Sequence, residues 1–350
     1  MNAADVVIET IGSCGAITLN RPAALNSLDL AMVRAIAGAL DLFENAAVRS
    51  VVIRSAGERA FCAGADIRAL YQLGKDERRD AQLEFFRAEY RLNRRIKLYP
   101  KPTIALVRGI VMGGGAGLSV HATHCVAAES LDFAMPEAGI GFFPDVGATF
   151  FLPRLPGRFG EYIALTGARI SCGDALALGL ASDYVPSSRY AALTQRLIDG
   201  EDASAAIAAE AEPAPASALM ERRPLIDICF AASTVAGIAA SVEAREGAFA
   251  RETRDALAAK SPTSLAIALR QVRIGAGLSI DEARRGEFRI AARILKGSDY
   301  YEGVRAAIID KDRRPRWRPG AIDAVGEAEI DPYFLPLADE LTFPAKAVAP

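Results

Sequence analysis

Apolar residues fall along the chain in two rhythms. Val6–Ile8 and Ala16–Leu19 are short apolar runs on either side of Gly12-Ser13-Cys14-Gly15, which predicts a β-hairpin ended by Asn20-Arg21-Pro22. From Leu28 to Phe43 the apolar positions are Leu28, Met32, Ala35, Ile36, Ala39, Leu40 and Phe43. That is helical spacing, with Ser27 or Asp29 placed as the cap. Val51-Val52-Ile53 is a continuous run, as expected of a strand buried in a sheet. A loop at Ala63–Asp66 leads into a helix, and a longer helix is expected over roughly 77–98. A strand at Thr103–Val107, the turn Gly113–Gly115, a helix from about Ala116 to Ala122 and a strand at Cys125–Ala128 follow.

Strands alternating with helices predict an α/β fold with crossover connections through about residue 185. Residues 203–218, rich in Ala, Pro and Glu, read as a linker or surface excursion. Beyond them Leu265, Leu269, Val272, Ile290 and Ile294 recur at helical spacing. The expected division is a core over 1–200, a linker or excursion over 201–222, and a helical region with its tail over 223–350.

Composition narrows the function classes. The 350 residues are 51% hydrophobic and 24% charged, long enough to bury a sizeable core. Lys+Arg 41 against Asp+Glu 43 leaves a net charge of −2, which argues against a nucleic-acid partner. Five scattered cysteines without a C-x-x-C predict neither a disulfide framework nor a zinc cluster, and no bound metal is expected. No apolar run is long enough to span a bilayer, so no membrane partner is expected. Met1–Asp5 lacks a basic leader, from which a cytoplasmic protein is expected.

Three segments carry candidate chemistry. Gly113-Gly114-Gly115 follows an apolar strand, and its uncovered N–H groups can face an anion or oxyanion at a helix start. The alternative is a tight strand-to-helix turn. Gly115-Ala116-Gly117-Leu118-Ser119-Val120 lacks the third glycine of a dinucleotide fingerprint. Gly117-Leu118-Ser119-Val120-His121 is no nucleophile elbow, because His121 stands where glycine is required. His121 and His124 are the only histidines and read as satisfied structural residues. Phe61-Cys62-Ala63-Gly64-Ala65-Asp66-Ile67 is a loop of small residues that lets a ligand approach the backbone; Asp66 would equally cap the next helix. Phe133 to Gly147 sets Glu137 and Asp145 eight residues apart among Phe, Met, Ile and Val. Desolvation there raises a carboxyl pKa and suits it to proton transfer, unless both carboxylates merely cap turns.

At these residues the chain resembles the enoyl-CoA hydratase/isomerase (crotonase) superfamily. The matching pieces are Ile17-Thr18-Leu19-Asn20-Arg21-Pro22, Leu25-Asn26-Ser27-Leu28, Phe61–Ile67 and the Gly113–Gly115 turn. Within it the chain is most similar to the branch that hydrolyses 3-hydroxyisobutyryl-CoA, through Phe85–Tyr90, Met112–Gly115, Ala134–Glu137, Gly141–Gly147, Phe151–Leu155 and Leu165–Gly167. The match continues in Ser261–Leu265 and Glu302–Asp312.

The resemblance implies a spiral of ββα units followed by a helical C-terminal region. It implies an acyl-CoA partner, with no other cofactor, since coenzyme A is part of the substrate. The Ala65 and Gly114 N–H groups would form the oxyanion hole. Glu137 and Asp145 would be catalytic, and Glu89, Gly113, Ala63, Asp66 and Ile67 would bind substrate. The implied reaction is hydrolysis of 3-hydroxyisobutyryl-CoA, or a similar short β-hydroxyacyl-CoA, in valine catabolism. Glu137 as nucleophile and Glu137 as general base both remain open. The alternatives are an enoyl-CoA hydratase or isomerase and a non-catalytic acyl-CoA binder. Gly117 stands where hydratases of the family carry their first glutamate, which counts against hydration. A homo-oligomer built through the C-terminal helices is a further option, as is a tail folded over its own domain.

Overall fold

The computed structural model describes residues 4–343; residues 1–3 and 344–350, the ends of the first and last expected regions, lie outside the described residues. The hairpin forms as β1 (Val6–Ile11) antiparallel to β2 (Cys14–Leu19), turning at Gly12 with φ +53°. The first helix spans Leu30–Asn45, and Asp29 rather than Ser27 caps it, accepting from the Met32 N–H at 2.8 Å.

From there the chain repeats a strand–strand–helix unit. β3 (Ser50–Ser55) and β4 (Ala60–Cys62) precede helices Ile67–Lys75 and Arg79–Lys97. β5 (Thr103–Val107) and β6 (Ile110–Met112) precede helix Gly114–Ser119. β7 (His124–Ala127) and β8 (Asp132–Ala134) precede the turns and helices up to Thr166. β9 (Ile170–Ser171) and β10 (Asp183–Tyr184) flank helix Cys172–Leu178. In the pairs β3/β4, β5/β6 and β7/β8 the first strand enters a six-stranded sheet of order β1-β2-β3-β5-β7-β10 and the second a four-stranded sheet of order β4-β6-β8-β9; in the last pair β9 joins the smaller sheet and β10 the larger. This is the spiral of ββα units that the family resemblance implied.

Alternation within the larger sheet decides what covers it. Val51, Ile53, Ala105, Val107 and Ala127 face the main core, while Val52, Ile104, Leu106 and Val126 face a second apolar cluster. A sheet buried on both faces reads as continuous apolar runs. Helix Tyr190–Ile198 and helix Ala203–Glu210 cover the second face. Of the stretch expected as a linker or surface excursion over 203–218, residues 203–210 thus form a helix. Asp202 caps a helix there, accepting from the Ser204 and Ala205 amides, and Ala203, Ala206 and Ile207 are buried. Alanine pays little entropy in a helix and leaves no apolar stripe to see in the sequence.

The helices after residue 222 share the main core. Pro262–Gly275 packs on Phe159–Thr166, and Ile280–Ile294 packs on Arg79–Lys97. The five cysteines are free and buried. Among the described residues no helix is long and apolar enough to cross a membrane.

Candidate active site

Three loops leave the ends of β4, β6 and β8, which run parallel with Cys62 beside Val111 and Met112 beside Ala134. Paired strands lie about 4.8 Å apart, so the loops after them emerge side by side. Those loops are Ala63–Asp66, Gly113–Gly115 and Met135–Glu137, which the chemistry of the sequence had singled out separately.

The first loop is pinned by backbone and by one side chain. The Ala63 N–H donates to Leu25 O at 3.0 Å, the Leu28 N–H to Gly64 O at 2.8 Å and the Asp66 N–H to Leu28 O at 2.8 Å. Asn26 donates to Ala60 O and Phe61 O, both at 3.1 Å. Gly64 takes φ +104°, and a Cβ there would stand 3.7 Å from the Gly114 nitrogen. The Ala65 N–H has no hydrogen-bond partner among the described residues. Gly113 turns the second loop at φ +45°, and Gly114 opens the helix, where its N–H has no acceptor within the helix. Two free amides therefore sit on touching loops. The helix begins at Gly114, two residues before its expected start, and close packing on Glu89 and Cys62 leaves no room for side chains at 114 and 115.

Glu137 starts a short 3-10 turn behind Pro136 and is 7% exposed. Its Oε1 lies 3.2 Å from where a Gly113 Cβ would be, and its Oε2 has no partner among the described residues. Burial, then the nearby Asp145 charge, raise its pKa well above the usual carboxyl range. Asp145 is 5% exposed and accepts from the Tyr90 hydroxyl at 2.8 Å. Burial and then Glu287 push its pKa up to about 7, against the pull of Tyr90 and Arg284. Glu89 lies on the helix Arg79–Lys97, fully buried beside Gly114.

The remaining candidates divide. Asp66 caps the helix Ile67–Lys75 through the Ala69 N–H at 3.1 Å and pairs with Arg21 at 3.0 Å. Both oxygens of its carboxylate therefore already have partners within the fold. Ile67 is the first residue of that helix and packs on the main core, while Ala63 and Gly113 are half-buried at the loops. Ser119 donates to Gly115 O at 2.8 Å inside its own helix. His121 is buried, with Nε2 2.9 Å from Val146 O, and is held neutral by burial and by Arg284.

Arg284 and Glu287 lie under this site and were not among the sequence candidates. Both are fully buried and paired at 3.1 Å. Glu287 accepts from the Gly147 N–H at 2.9 Å and the Thr149 N–H at 3.0 Å, and Gln271 donates to Pro144 O. Together they hold the loop that carries Asp145, in which Val146 takes a left-handed φ of 49° that β-branched residues rarely adopt.

A buried carboxyl with a raised pKa gives a stability prediction. Its usual value is about 3.9. The folded state binds the Asp145 proton more tightly, so stability from this group is present at low pH and lost as pH rises through about 7. Asp145→Asn keeps an acceptor for Tyr90 and is expected to be more stable than wild type at pH 8, by up to about 4 kcal/mol. The gain should shrink toward pH 5 in urea unfolding; an equal difference at both values would show that the carboxyl is not held out of water.

Residues 14–334 match the family model described as enoyl-CoA hydratase/isomerase. The chain is 42% identical to the mitochondrial 3-hydroxyisobutyryl-CoA hydrolase of Danio rerio, over 94% of this chain and 89% of that one. It is 40% identical to the human protein of the same name, over 95% and 89%. Among solved structures it superimposes on a carnitinyl-CoA dehydratase from Mycobacterium thermoresistibile with TM-score 0.93, 42% identity and coverage of 97% and 99%. An enoyl-CoA hydratase from Rhodobacter sphaeroides gives TM-score 0.92, 42% identity and coverage of 97% and 100%. The hydrolase relatives are named as mitochondrial, which overturns the cytoplasmic expectation. Targeting segments are cleaved from mature chains, so the first residues of a sequence do not decide its compartment. With a family model spanning most of its length and relatives near 40% identity, the chain belongs to the enoyl-CoA hydratase/isomerase family.

Proposed function

We propose that the chain hydrolyses the thioester of 3-hydroxyisobutyryl-CoA, or of a similarly short β-hydroxyacyl-CoA, to the hydroxy acid and CoA, a step of valine breakdown. The name shared by the hydrolase relatives supports this reading. One observation carries it against the lyase names of the two solved structures. A Cβ on Gly117 would stand 2.7 Å from Asn93 Nδ2 and 2.9 Å from its Oδ1. Asn93 thus fills the space that a glutamate at 117 would need, and of the hydratase pair only Glu137 faces the glycine turn.

In this reading the thioester oxygen accepts from the Ala65 and Gly114 amides. Each such donor, aimed at developing charge, is worth about 3 kcal/mol. Glu137 either attacks the carbonyl carbon, expelling thiolate and leaving a mixed anhydride that water opens, or takes a proton from an attacking water. Both routes need it ionised at the moment of reaction. Asp145 accepts a hydrogen bond from the substrate hydroxyl. A thioester held by two amides needs no further activation, so no resident cofactor enters the scheme; CoA arrives with the substrate.

A thiol reagent decides between the readings. 3-Hydroxyisobutyryl-CoA and 3-hydroxypropionyl-CoA are expected to release stoichiometric CoA, isobutyryl-CoA far less, and crotonyl-CoA is expected to undergo negligible hydration. Hydration of crotonyl-CoA at a rate comparable with thioester cleavage would replace the hydrolase by a lyase. Binding of every thioester with no turnover would leave an acyl-CoA-binding protein.

A further inference from the structure

The buried carboxyls of the site outnumber the positive charge near them. Glu89, Glu137, Asp145 and Glu287 are all buried. Facing Glu89 are Asp145 and Glu137 from the loops after β8, Arg284 and Glu287 from the helix Ile280–Ile294, Tyr90 from its own helix, and Cys62 from β4. Arg284 is the one cation in that set, and it is bonded to Glu287. Lys260 acts on Glu137 instead. Four carboxylates cannot all stay ionised beside one guanidinium away from water.

Glu137 also has an oxygen without a partner among the described residues, but it has the Lys260 cation beside it; for the other three, hydrogen bonds decide which holds a proton. Glu287 has Arg284 and two backbone amides, so it keeps its charge. Asp145 has the Tyr90 hydroxyl. Glu89 is 1% exposed, and its Oε1 has no partner among the described residues. That oxygen would stand 2.5 Å from a Cβ on Gly114, so it looks onto the backbone of the second free amide. Burial, followed by the Asp145 charge, pushes its pKa well above the usual range, in agreement with this order.

We propose that Glu89 and Asp145 read the substrate hydroxyl as an unequal pair, in which Glu89 is a neutral acid that donates to the hydroxyl oxygen and Asp145 is a carboxylate that accepts its hydrogen. The inference rests on the hydrolase reading above and deepens it. A hydroxyl has one hydrogen and two lone pairs. Two carboxylates could only compete for that hydrogen, whereas an acid and a carboxylate match both halves of the group. A plain acyl chain leaves a buried O–H and a buried carboxylate unpaired together, and such sites reject the missing hydroxyl strongly. Deprotonation of Glu89 at high pH turns the donor into a second acceptor, so hydroxyl selectivity should fall on the alkaline side.

The test compares Glu89→Gln, whose amide still donates, with Glu89→Met, which cannot. The readout is the ratio of kcat/KM for 3-hydroxyisobutyryl-CoA to that for isobutyryl-CoA. Both variants are expected to be slower than wild type. The glutamine variant should keep the ratio within about threefold and lose its alkaline decline, while the methionine variant should lower it at least about tenfold. Equal losses in both variants would mean that Glu89 acts as a carboxylate, and the proposal fails. Infrared difference spectra of wild type against Glu89→Gln at pH 7 give a readout free of turnover. A protonated-carboxyl band assigned to Glu89 is expected, and a carboxylate band in its place overturns the proposal. If wild type cleaves neither thioester, the hydrolase reading fails by itself; the infrared band and the relative Kd values of the two thioesters then still decide the role of Glu89.

Discussion

Glu137→Gln is expected to remove nearly all thioester cleavage, lowering kcat by at least about 10²–10⁴ while CoA-thioester Kd changes little. The substitution keeps the shape of the side chain and removes only its ability to attack or to take a proton. Glu137 Oε1 sits against the Gly113 turn, and its Oε2 has no partner among the described residues, so no structural hydrogen bond at that oxygen is lost. A buried carboxylate without a partner is costly to the fold, which predicts that the variant is no less stable than wild type. Rate loss without stability loss separates a reacting group from one that caps a turn. Steady-state CoA release, equilibrium binding and thermal unfolding of the same preparation check it, and near-normal kcat would remove Glu137 from the chemistry.

Glu137 was legible in the sequence because it is a carboxylate inside an apolar, Pro- and Gly-punctuated stretch, and the same holds for Asp145. The glycine turn was legible because three glycines after an apolar strand have few other uses. The strands that bring these pieces together were not. Ala60–Cys62, Ile110–Met112 and Asp132–Ala134 have three residues each, too short for a period of two to show against a helical pattern. The four-stranded sheet therefore entered only through the family resemblance. The larger sheet was readable because Val51–Ile53 and Thr103–Val107 are continuous apolar runs.

Arg284 and Glu287 mark the opposite limit. They stand in Asp281-Glu282-Ala283-Arg284-Arg285-Gly286-Glu287, a stretch whose composition suggests a solvated helix face. One signal was available. Arg284, Glu287, Phe288 and Ala291 follow the i, i+3, i+4, i+7 rhythm, so the charged pair shares a stripe with residues that are buried. Asp66 shows the reverse case, since its position in a motif suggested ligand binding while its neighbours Ala69 and Arg21 already use its oxygens. Position in a motif says where a residue stands, and its hydrogen bonds decide what remains free for a ligand.

Arg284→Met is expected to cost about 3–5 kcal/mol of stability, because it leaves Glu287 buried with its counter-charge gone. Arg284 is fully buried, bonded to Glu287 at 3.1 Å and to His121 Nε2 at 2.9 Å. Protonating Glu287 would relieve the lone charge but weaken its grip on the Gly147 and Thr149 amides, and so loosen the loop that positions Asp145. The double variant Arg284→Met/Glu287→Gln removes both charges and keeps an oxygen acceptor for those amides. It should recover a large part of the lost stability, as replacing a whole buried ion pair costs less than breaking it. Activity should answer differently. Arg284 is among the groups that hold the Asp145 pKa down, so its loss alone raises that pKa, whereas the double variant also loses Glu287, the larger opposing charge, and returns the pKa to its wild-type value or below it. The acid limb of kcat/KM for a hydroxylated thioester should therefore move to higher pH in the single variant, and in the double variant return to its wild-type position or below it. Urea unfolding and pH–rate profiles of the three proteins measure the two effects separately. An Arg284→Met protein as stable as wild type would show that the loop carries its own conformation. An unmoved acid limb in the single variant would show that Arg284 supports the fold and not the charge state of Asp145.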